Sequence, residues 1–340
     1  MHWSSVLAWR MERQHLARRA KDPLAVISDV CGLHAQVMSS AQLTLWARVE
    51  EPPDVEALLW ERHELVKTWA MRGTLHLLRS DELPLYVGAQ AGLKPRYEQK
   101  AWLKHFELTA EEAQSPLTEV PAALRDGPLT REELASRVHA GLGRGYGDLL
   151  KPVAFRGDLV FAASEGQNVR FALPEPFEAV PAEEATRELA RRFLTRYGPA
   201  TREDLAKWFG SPTPAPPGRW IKALGDEVVE TEFGWALGSD VSAIERAEPS
   251  GLVRLLGAFD QYVVAAPRDT RATAAPERIF RPGGWFSPVL LVDGVMAGVW
   301  RREHGEVTIE PFTKVDGEVR AAAEAEDARL PGAPPVSWQS

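Results

Sequence analysis

The chain has 340 residues, 26% charged and 44% hydrophobic, a composition typical of globular proteins and a length sufficient for two or more cores. No apolar run is long enough for a transmembrane helix, the N-terminus lacks a secretory signal, and the single cysteine, Cys31, excludes an internal disulfide. A cytoplasmic protein without a membrane partner is therefore expected. The net charge of −8 argues mildly against a nucleic-acid partner, although residues 1–105 carry slightly more Lys and Arg than Asp and Glu.

A polar segment, CGLHAQVMSS, interrupts the predicted helices of the N-terminal third. These helices lie near residues 4–20, 23–31, 40–49 and 54–62. Gly32 is suited to end one helix and Ser39 or Ser40 to cap the next, which predicts non-helical backbone for His34 and Gln36. Residues two apart in extended backbone project to the same side. The two side chains either satisfy an interhelical loop or form a polar site, and their spacing allows both.

Two apolar-rich stretches around Arg72-Gly73 predict a tight β-hairpin. It carries Lys67, Arg72, Thr74 and His76. These side chains are candidate DNA contacts, and Lys67 and Arg72 are the candidates to bind phosphates. The alternative is a solvated hairpin with ordinary surface charge. His76 alternates with two leucines and is interpreted first as a structural hydrogen-bonding residue.

An internal repeat organises the middle of the chain. The copies are GPLTREELASRV at 127–138 and GPATREDLAKWF at 198–209. Thr130 with Glu133, and Thr201 with Asp204, have the spacing of a capped helix N-terminus. Strand-like sequence follows each copy, with turn signals at 165–168 after the first, and the order helix, capped helix, helix and hairpin predicts a winged helix-turn-helix module.

The C-terminal part is β-rich, with turn signals at Asp293-Gly294 and His304-Gly305. The expected fold class is α+β, with three tandem winged helix-turn-helix modules and a C-terminal small β-barrel. The predicted boundaries are modules at 1–115, 116–180 and 181–248, the barrel at 249–318 and a tail at 319–340. The tail is predicted to be a short helix at best, followed by a disordered end.

Further charged candidates lie in this β-rich part. Asp260 is either a charge-stabilising residue or a structural partner of Arg268. Arg301 and Arg302 are candidate phosphate contacts or plain surface charge. The sequence has no nucleotide-binding loop, no hydrolase nucleophile motif and no Cys/His cluster with zinc spacing, so neither a metal nor another cofactor is expected.

Four segments, in order, resemble the HTH_42 winged-helix family of AlkZ/YcaQ-like DNA glycosylases. They are GLHAQ with LTLWARV, LVKTWAMRGTLHLL, AFDQYVVAAPRD and VLLVDGVMAGVWRR. The resemblance covers about 1–315. It implies winged-helix modules around a channel for double-stranded DNA, excision of alkylated purines and unhooking of interstrand cross-links. The family's catalytic Gln-x-Gln motif matches His34 and Gln36, so this chain is a His-x-Gln variant.

The chemistry implied for this pair is hydrolysis of an N-glycosidic bond. A purine alkylated at N7 or N3 is cationic and leaves readily, so water must be oriented at the sugar carbon. His34 is expected to activate or position that water and Gln36 to assist, without a cofactor. The expected partner is duplex DNA with an alkylated purine, bound by a monomer. The alternative is a non-catalytic winged-helix DNA-binding protein, regulatory or architectural.

Overall fold

The structure is a computed structural model that describes residues 1–143, 147–268, 270–330, 332 and 335–339. It is a mixed α+β protein. The N-terminal elements are α1 (Trp3–Arg13), α2 (Pro23–Asp29), β1 (Leu33–His34), α3 (Met38–Arg48), a π-helical turn (Ala57–Glu61), β2 (Leu65–Trp69), β3 (Leu75–Arg79) and α4 (Leu83–Ala91).

The predicted hairpin around Arg72-Gly73 is confirmed. Strands β2 and β3 pair antiparallel, and β1 adds to the other side of β3 to give the order β1-β3-β2. The short strand β1 therefore fixes the segment after α2 onto the hairpin. The predicted serine cap of α3 is wrong, because the helix begins at Met38 behind Val37 and has no side-chain cap.

The middle of the chain alternates short helices with two hairpins. Its elements are α5 (Lys100–Phe106), α6 (Ala110–Gln114), α7 (Pro116–Ala123), β4 (Leu129–Thr130), α8 (Arg131–Arg137), α9 (Lys151–Phe155), β5 (Val160–Glu165), β6 (Asn168–Ala172), α10 (Ala182–Tyr197), α11 (Arg202–Phe209), α12 (Ala215–Lys222), β7 (Val228–Thr231), β8 (Gly234–Leu237) and α13 (Val241–Arg246). The turn predicted near 165–168 joins β5 to β6.

Both repeated helix starts are capping boxes, as the sequence predicts. The hydroxyl of Thr130 accepts from the Glu133 amide at 3.2 Å, and the Glu133 carboxylate accepts from the Thr130 amide at 2.7 Å. Thr201 and Asp204 repeat the arrangement at 3.1 and 3.0 Å. Each reciprocal pair satisfies two backbone donors that a helix leaves open, which sets where α8 and α11 begin.

The C-terminal part contains the main β-sheet. Its elements are β9 (Val253–Leu256), α14 (Gln261–Ala265), α15 (Pro276–Ile279), β10 (Phe280–Arg281), β11 (Trp285–Phe286), β12 (Val289–Val292), β13 (Val295–Glu303), β14 (Glu306–Pro311), α16 (Gly317–Asp327) and β15 (Val336–Trp338). Both predicted turns are confirmed, because Asp293-Gly294 joins β12 to β13 and His304-Gly305 joins β13 to β14.

The five-stranded sheet has the order β15-β14-β13-β12-β9 and is open, so the described residues form no closed barrel. Its edges are β9 and β15, which do not pair with each other. The expectation of a disordered end is also wrong for 336–338, which form β15 and pair in parallel with β14. Of the tail, residues 331, 333, 334 and 340 lie outside the described part. No described helix is long and apolar enough to cross a membrane.

Candidate functional site

The segment that carries His34 leaves α2 through two residues with left-handed backbone, Cys31 (φ 60°) and Gly32 (φ 86°). The Gly32 amide donates to the Ile27 carbonyl at 2.8 Å. A Cβ at Gly32 would lie 2.5 Å from Leu78 Cδ2, so both the torsion and the contact with β3 require glycine. Burial raises the pKa of the Cys31 thiol to about 12, so this buried thiol stays protonated and unreactive at neutral pH.

His34 lies in extended backbone directly opposite His76. The two residues are register partners of β1 and β3, and the Ala35 amide donates to the Leu75 carbonyl at 2.7 Å. The imidazole rings are 5.5 Å apart and meet edge to face. His34 is 4% exposed, and its Nδ1 is buried without a hydrogen-bond partner among the described residues. The prediction of non-helical backbone here is confirmed.

Gln36 differs from His34 in exposure. It lies in a bend two residues before α3 and is exposed, whereas His34 is buried. The pair thus combines a buried imidazole with an amide open to solvent. Such a pair can present one hydrogen-bonding group from the protein interior and one from its surface.

Phe259 covers one face of the His34 ring. The ring centroids are 4.5 Å apart and the planes are within 3° of parallel. Phe259 also has left-handed backbone, with φ 59°. The outer neighbour of Phe259 is Trp285 on β11, which meets it edge to face at 4.8 Å and is 46% exposed. Two aromatic rings, those of Trp285 and Phe259, therefore lead from the surface to His34.

Both histidines are held neutral. Desolvation by burial, followed by the positive charge of Arg72, lowers the pKa of His34 to about 3. Burial also lowers the pKa of His76 well below its ordinary value. The hydrogen bonds of His76 fit one neutral tautomer, with Nδ1 donating to the Thr74 carbonyl at 2.9 Å and Nε2 accepting from Arg72 Nη2 at 3.3 Å.

Arg72 reaches inward, towards His76 and α11. Its Nη1 donates to the Trp208 carbonyl, and burial lowers its pKa to about 10. The backbones of Arg72 and Gly210 are also in close contact, because a Cβ at Gly210 (φ 92°) would lie 2.5 Å from Arg72 Cα. Arg72 thus joins the hairpin to the end of α11 and places a cation beside both histidines.

The remaining hairpin candidates lie on either side of that turn. Lys67 is half-buried in β2, with Nζ 5.5 Å from the centre of the Phe161 ring, and burial lowers its pKa. The hydroxyl of Thr74 donates to the Met71 carbonyl at 3.1 Å and stabilises the turn. Among the hairpin candidates, contacts with the His34–His76 pair are made by Arg72 and Thr74.

Asp260 does not pair with Arg268, which corrects the structural alternative considered for it. Its carboxylate is fully buried and forms two hydrogen bonds with the Arg48 guanidinium, each 2.7 Å long. The guanidinium of Arg268 lies over Phe280 and Phe286, with centroid distances of 5.4 and 5.5 Å. Asp260 therefore approaches the site through its neighbour Phe259, with its own charge already neutralised by Arg48.

Arg301 and Arg302 belong to the far end of β13. Arg301 pairs with Glu303 at 3.4 Å, and Arg302 follows it in the strand. Arg48 and Phe259 lie inside two of the segments that carry the family resemblance, LTLWARV and AFDQYVVAAPRD, but the sequence gives neither of them a role, and Trp285 lies outside those segments. In the sequence, Arg48 is an ordinary basic residue at the end of a predicted helix. The left-handed torsion of Phe259 cannot be predicted from its residue type.

The chain is similar to known DNA glycosylases in both sequence and structure. A family model described as "DNA glycosylase AlkZ-like" matches residues 27–332. A curated protein of Streptomyces sahachiroi, described as "Interstrand DNA cross-link repair glycosylase", is 34% identical over a gapped alignment of 373 positions that covers 98% of this chain and 97% of the relative. The solved structure of Streptomyces sahachiroi DNA glycosylase AlkZ is 31% identical, with a TM-score of 0.90 and complete coverage of both chains.

Proposed function

Because the chain belongs to the AlkZ-like DNA glycosylase family, we propose that it hydrolyses the N-glycosidic bond of alkylated or bulky-adduct purines and unhooks interstrand cross-links. The Streptomyces relative, an interstrand DNA cross-link repair glycosylase, supports the proposed cross-link activity. The proposed substrate is double-stranded DNA, bound by a monomer that acts at the nucleoid in the cytoplasm. No membrane partner is proposed.

His34 and Gln36 are the proposed catalytic residues. The observation that carries this assignment is the buried, neutral imidazole of His34, with an unpartnered nitrogen, next to the exposed amide of Gln36. A purine alkylated at N7 is cationic, so a protonated histidine beside it would oppose binding. With its pKa at about 3, His34 stays neutral at physiological pH and acts as a hydrogen-bond acceptor that orients water.

The reaction then follows from the leaving group. The bond between C1′ and the purine nitrogen breaks as the electron pair moves to the base, which leaves as a neutral purine. The sugar carbon becomes oxocarbenium-like and is attacked by the water that His34 and Gln36 hold. The proton released from that water passes to solvent. A weak base suffices because departure of the base, and not deprotonation of water, provides the driving force.

We further propose that the three helix-hairpin units are winged-helix modules at 1–115, 116–180 and 181–248, followed by a β unit at 249–318. Two observations support this division. Hairpins β2-β3, β5-β6 and β7-β8 each follow helices, and α8 and α11 begin with the same capping box. Lys67, Arg301 and Arg302 are proposed to contact DNA phosphates, and Arg72, Thr74 and His76 to support the site from the hairpin.

The test is release of the modified base from a defined duplex. Purified protein is incubated with DNA carrying one N7-methylguanine, and abasic sites are cleaved with alkali. His34→Ala and Gln36→Ala are expected to lower the single-turnover rate by roughly 10²–10⁴-fold while retaining duplex binding. The exposed His105→Ala and Gln114→Ala are the matched controls.

The outcomes separate the alternatives. Full activity of both site variants would reject the catalytic assignment but leave the glycosylase intact. No base release from either N7-methylguanine or cross-linked duplexes, combined with a sequence-specific footprint, would favour the regulatory DNA-binding protein.

A further inference from the structure

Three consecutive residues, 259–261, contact the segment that carries His34, and we refer to them as the 259–261 clamp. Phe259 stacks on the His34 ring at 4.5 Å. Gln261 Nε2 donates to the Gly32 carbonyl at 2.6 Å. Asp260 binds Arg48 at the end of α3, the helix that follows the segment. The clamp thus holds the segment at its start, at His34 itself and at the following helix.

The backbone of the clamp is strained at the residue that touches His34. A left-handed torsion is uncommon for a bulky side chain and persists only where the surroundings enforce it. The next residue supplies such contacts, because the Asp260 carboxylate accepts from the Tyr262 amide at 2.9 Å while it binds Arg48. Just before the clamp, a Cβ at Gly257 would lie 2.9 Å from Leu43 Cβ, so the chain is also pressed against α3.

Resting on the proposed role of His34, we propose that Phe259 is a positioning residue for the glycosylase reaction. Its ring covers one face of the His34 imidazole, fixes the orientation of the imidazole and excludes water from that face, which leaves the edge of the imidazole to hold the attacking water. The Arg48–Asp260 ion pair holds Phe259 in place.

The charged groups around His34 identify what Phe259 contributes. From the hairpin, Arg72 and the neutral His76 face it, and the Arg72 cation disfavours a second positive charge. From the clamp and α3, Asp260 and Arg48 neutralise each other. Desolvation is the largest cause that lowers the pKa of His34, and Phe259 is the ring stacked in parallel on it. Replacing this ring with a smaller or flexible side chain admits water, and the pKa of His34 then rises towards its ordinary value of about 6.5.

The experiment compares Phe259→Leu with Phe259→Tyr, which keeps the stacked ring. Phe286→Leu is the matched control, because Phe286 is a buried ring 5.7 Å from Phe259 that does not stack on His34. Where Phe259→Leu does not fold, Phe259→Met fills the volume without a flat face. The histidine ring signals are titrated by NMR in the full-length protein without DNA, with His34→Ala for assignment. Single-turnover base release is measured at pH 5 and pH 8.

In the native protein and Phe259→Tyr, His34 is expected to stay neutral at pH 5 and the two rates to agree. In Phe259→Leu, His34 should titrate near pH 6, and the rate at pH 5 should fall about tenfold relative to pH 8. Protonated His34 cannot accept a hydrogen bond from water, and it repels a cationic base.

The two measurements separate the inference from the proposed function. An unchanged titration of His34 in Phe259→Leu or Phe259→Met would overturn the positioning role, as would an equal shift in Phe286→Leu. A shifted titration with no pH dependence of the rate would support the positioning role and instead reject His34 as the catalytic residue.

Discussion

Arg48 and Asp260 form a fully buried bidentate ion pair across 212 residues of sequence, with both hydrogen bonds 2.7 Å long. Arg48 is the last residue of α3 and also donates to the Thr44 carbonyl at 3.0 Å. Asp260 is the N-cap of α14. The pair therefore joins the helix after the His34 segment to the start of the C-terminal β-rich part, and neither charge has access to water.

Breaking this pair on one side should destabilise the fold strongly. Asp260→Asn keeps the shape but leaves the Arg48 charge buried without compensation, and we expect a loss of about 3–5 kcal/mol in the free energy of unfolding. Arg48→Met should cost a similar amount. The double variant should lose clearly less than the sum, because it leaves neither charge exposed to the apolar interior. Urea denaturation of the four proteins measures this coupling.

The surface pair Arg62–Glu64 is the matched control for that cycle. Its nitrogen and oxygen atoms are also 2.7 Å apart, but Arg62 is 60% exposed. Glu64→Gln should change the free energy of unfolding by about 1 kcal/mol or less. Additive losses at Arg48 and Asp260 would show that the two residues act independently.

The neutral histidine pair predicts a stability that falls in acid. The folded-state pKa of His34 is about 3 and that of His76 is well below its ordinary value, whereas the unfolded chain takes up these protons near pH 6.5. The free energy of unfolding should therefore decrease as the pH falls below about 6.5, by roughly 1.4 kcal/mol per pH unit for each histidine. This effect continues until the folded state also binds the proton.

Replacing one of the two histidines isolates its contribution to the pH dependence of the unfolding free energy. Between pH 7.5 and pH 5, His34→Gln should lose roughly 2 kcal/mol less stability than the native protein. His76→Gln should also lose less stability than the native protein over this pH range. The exposed His105→Gln is the matched control. Urea unfolding at both pH values provides the comparison. If His34→Gln and the native protein show the same pH dependence, then His34 is not held neutral by the fold.

Arg72 is expected to act on both stability and charge. Arg72→Met removes the donor to the Trp208 carbonyl and to His76 Nε2, which should cost about 1–3 kcal/mol in unfolding free energy. It also removes the cation that disfavours protonation of both histidines, so their pKa values should rise. Arg72→Lys keeps the charge without the planar pair of donors. NMR titration should therefore show the pKa of His34 raised in the Met variant and nearly native in the Lys variant.

Local features of this fold could be predicted because the residues that determine them are close in sequence. The capping boxes at Thr130 and Thr201 and the turn at Asp293-Gly294 are determined within a few positions and are confirmed. The non-helical backbone at His34 followed from Gly32 in the same way. The predictions are wrong where contacts between distant segments determine the structure. The C-terminal sheet, for example, is open, whereas a closed barrel is expected from the sequence.

The surroundings of His34 are also determined by contacts between distant segments. Phe259 and Arg48 contact residues more than 200 positions away in the sequence, and a local sequence pattern does not predict such contacts. The sequence singles out Asp260 for its charge and offers two interpretations, a charge-stabilising residue or a structural partner of the nearby Arg268. The protein uses Arg48 instead, because α3 passes the start of α14 and brings a guanidinium to both carboxylate oxygens.

Lys67 tests the proposed DNA contact of the hairpin. Its ammonium lies 5.5 Å from the Phe161 ring centre and forms no ion pair within the ranges that the structure describes, while the Glu56 carboxylate is close enough to favour its positive charge. Lys67→Gln should weaken binding of duplexes of any sequence and lower the slope of log affinity against log salt by about one unit, since a phosphate contact releases a counterion. The exposed Lys314→Gln is the control. Fluorescence anisotropy across a salt series measures both variants, and an unchanged slope for Lys67→Gln would place the phosphate backbone away from this strand.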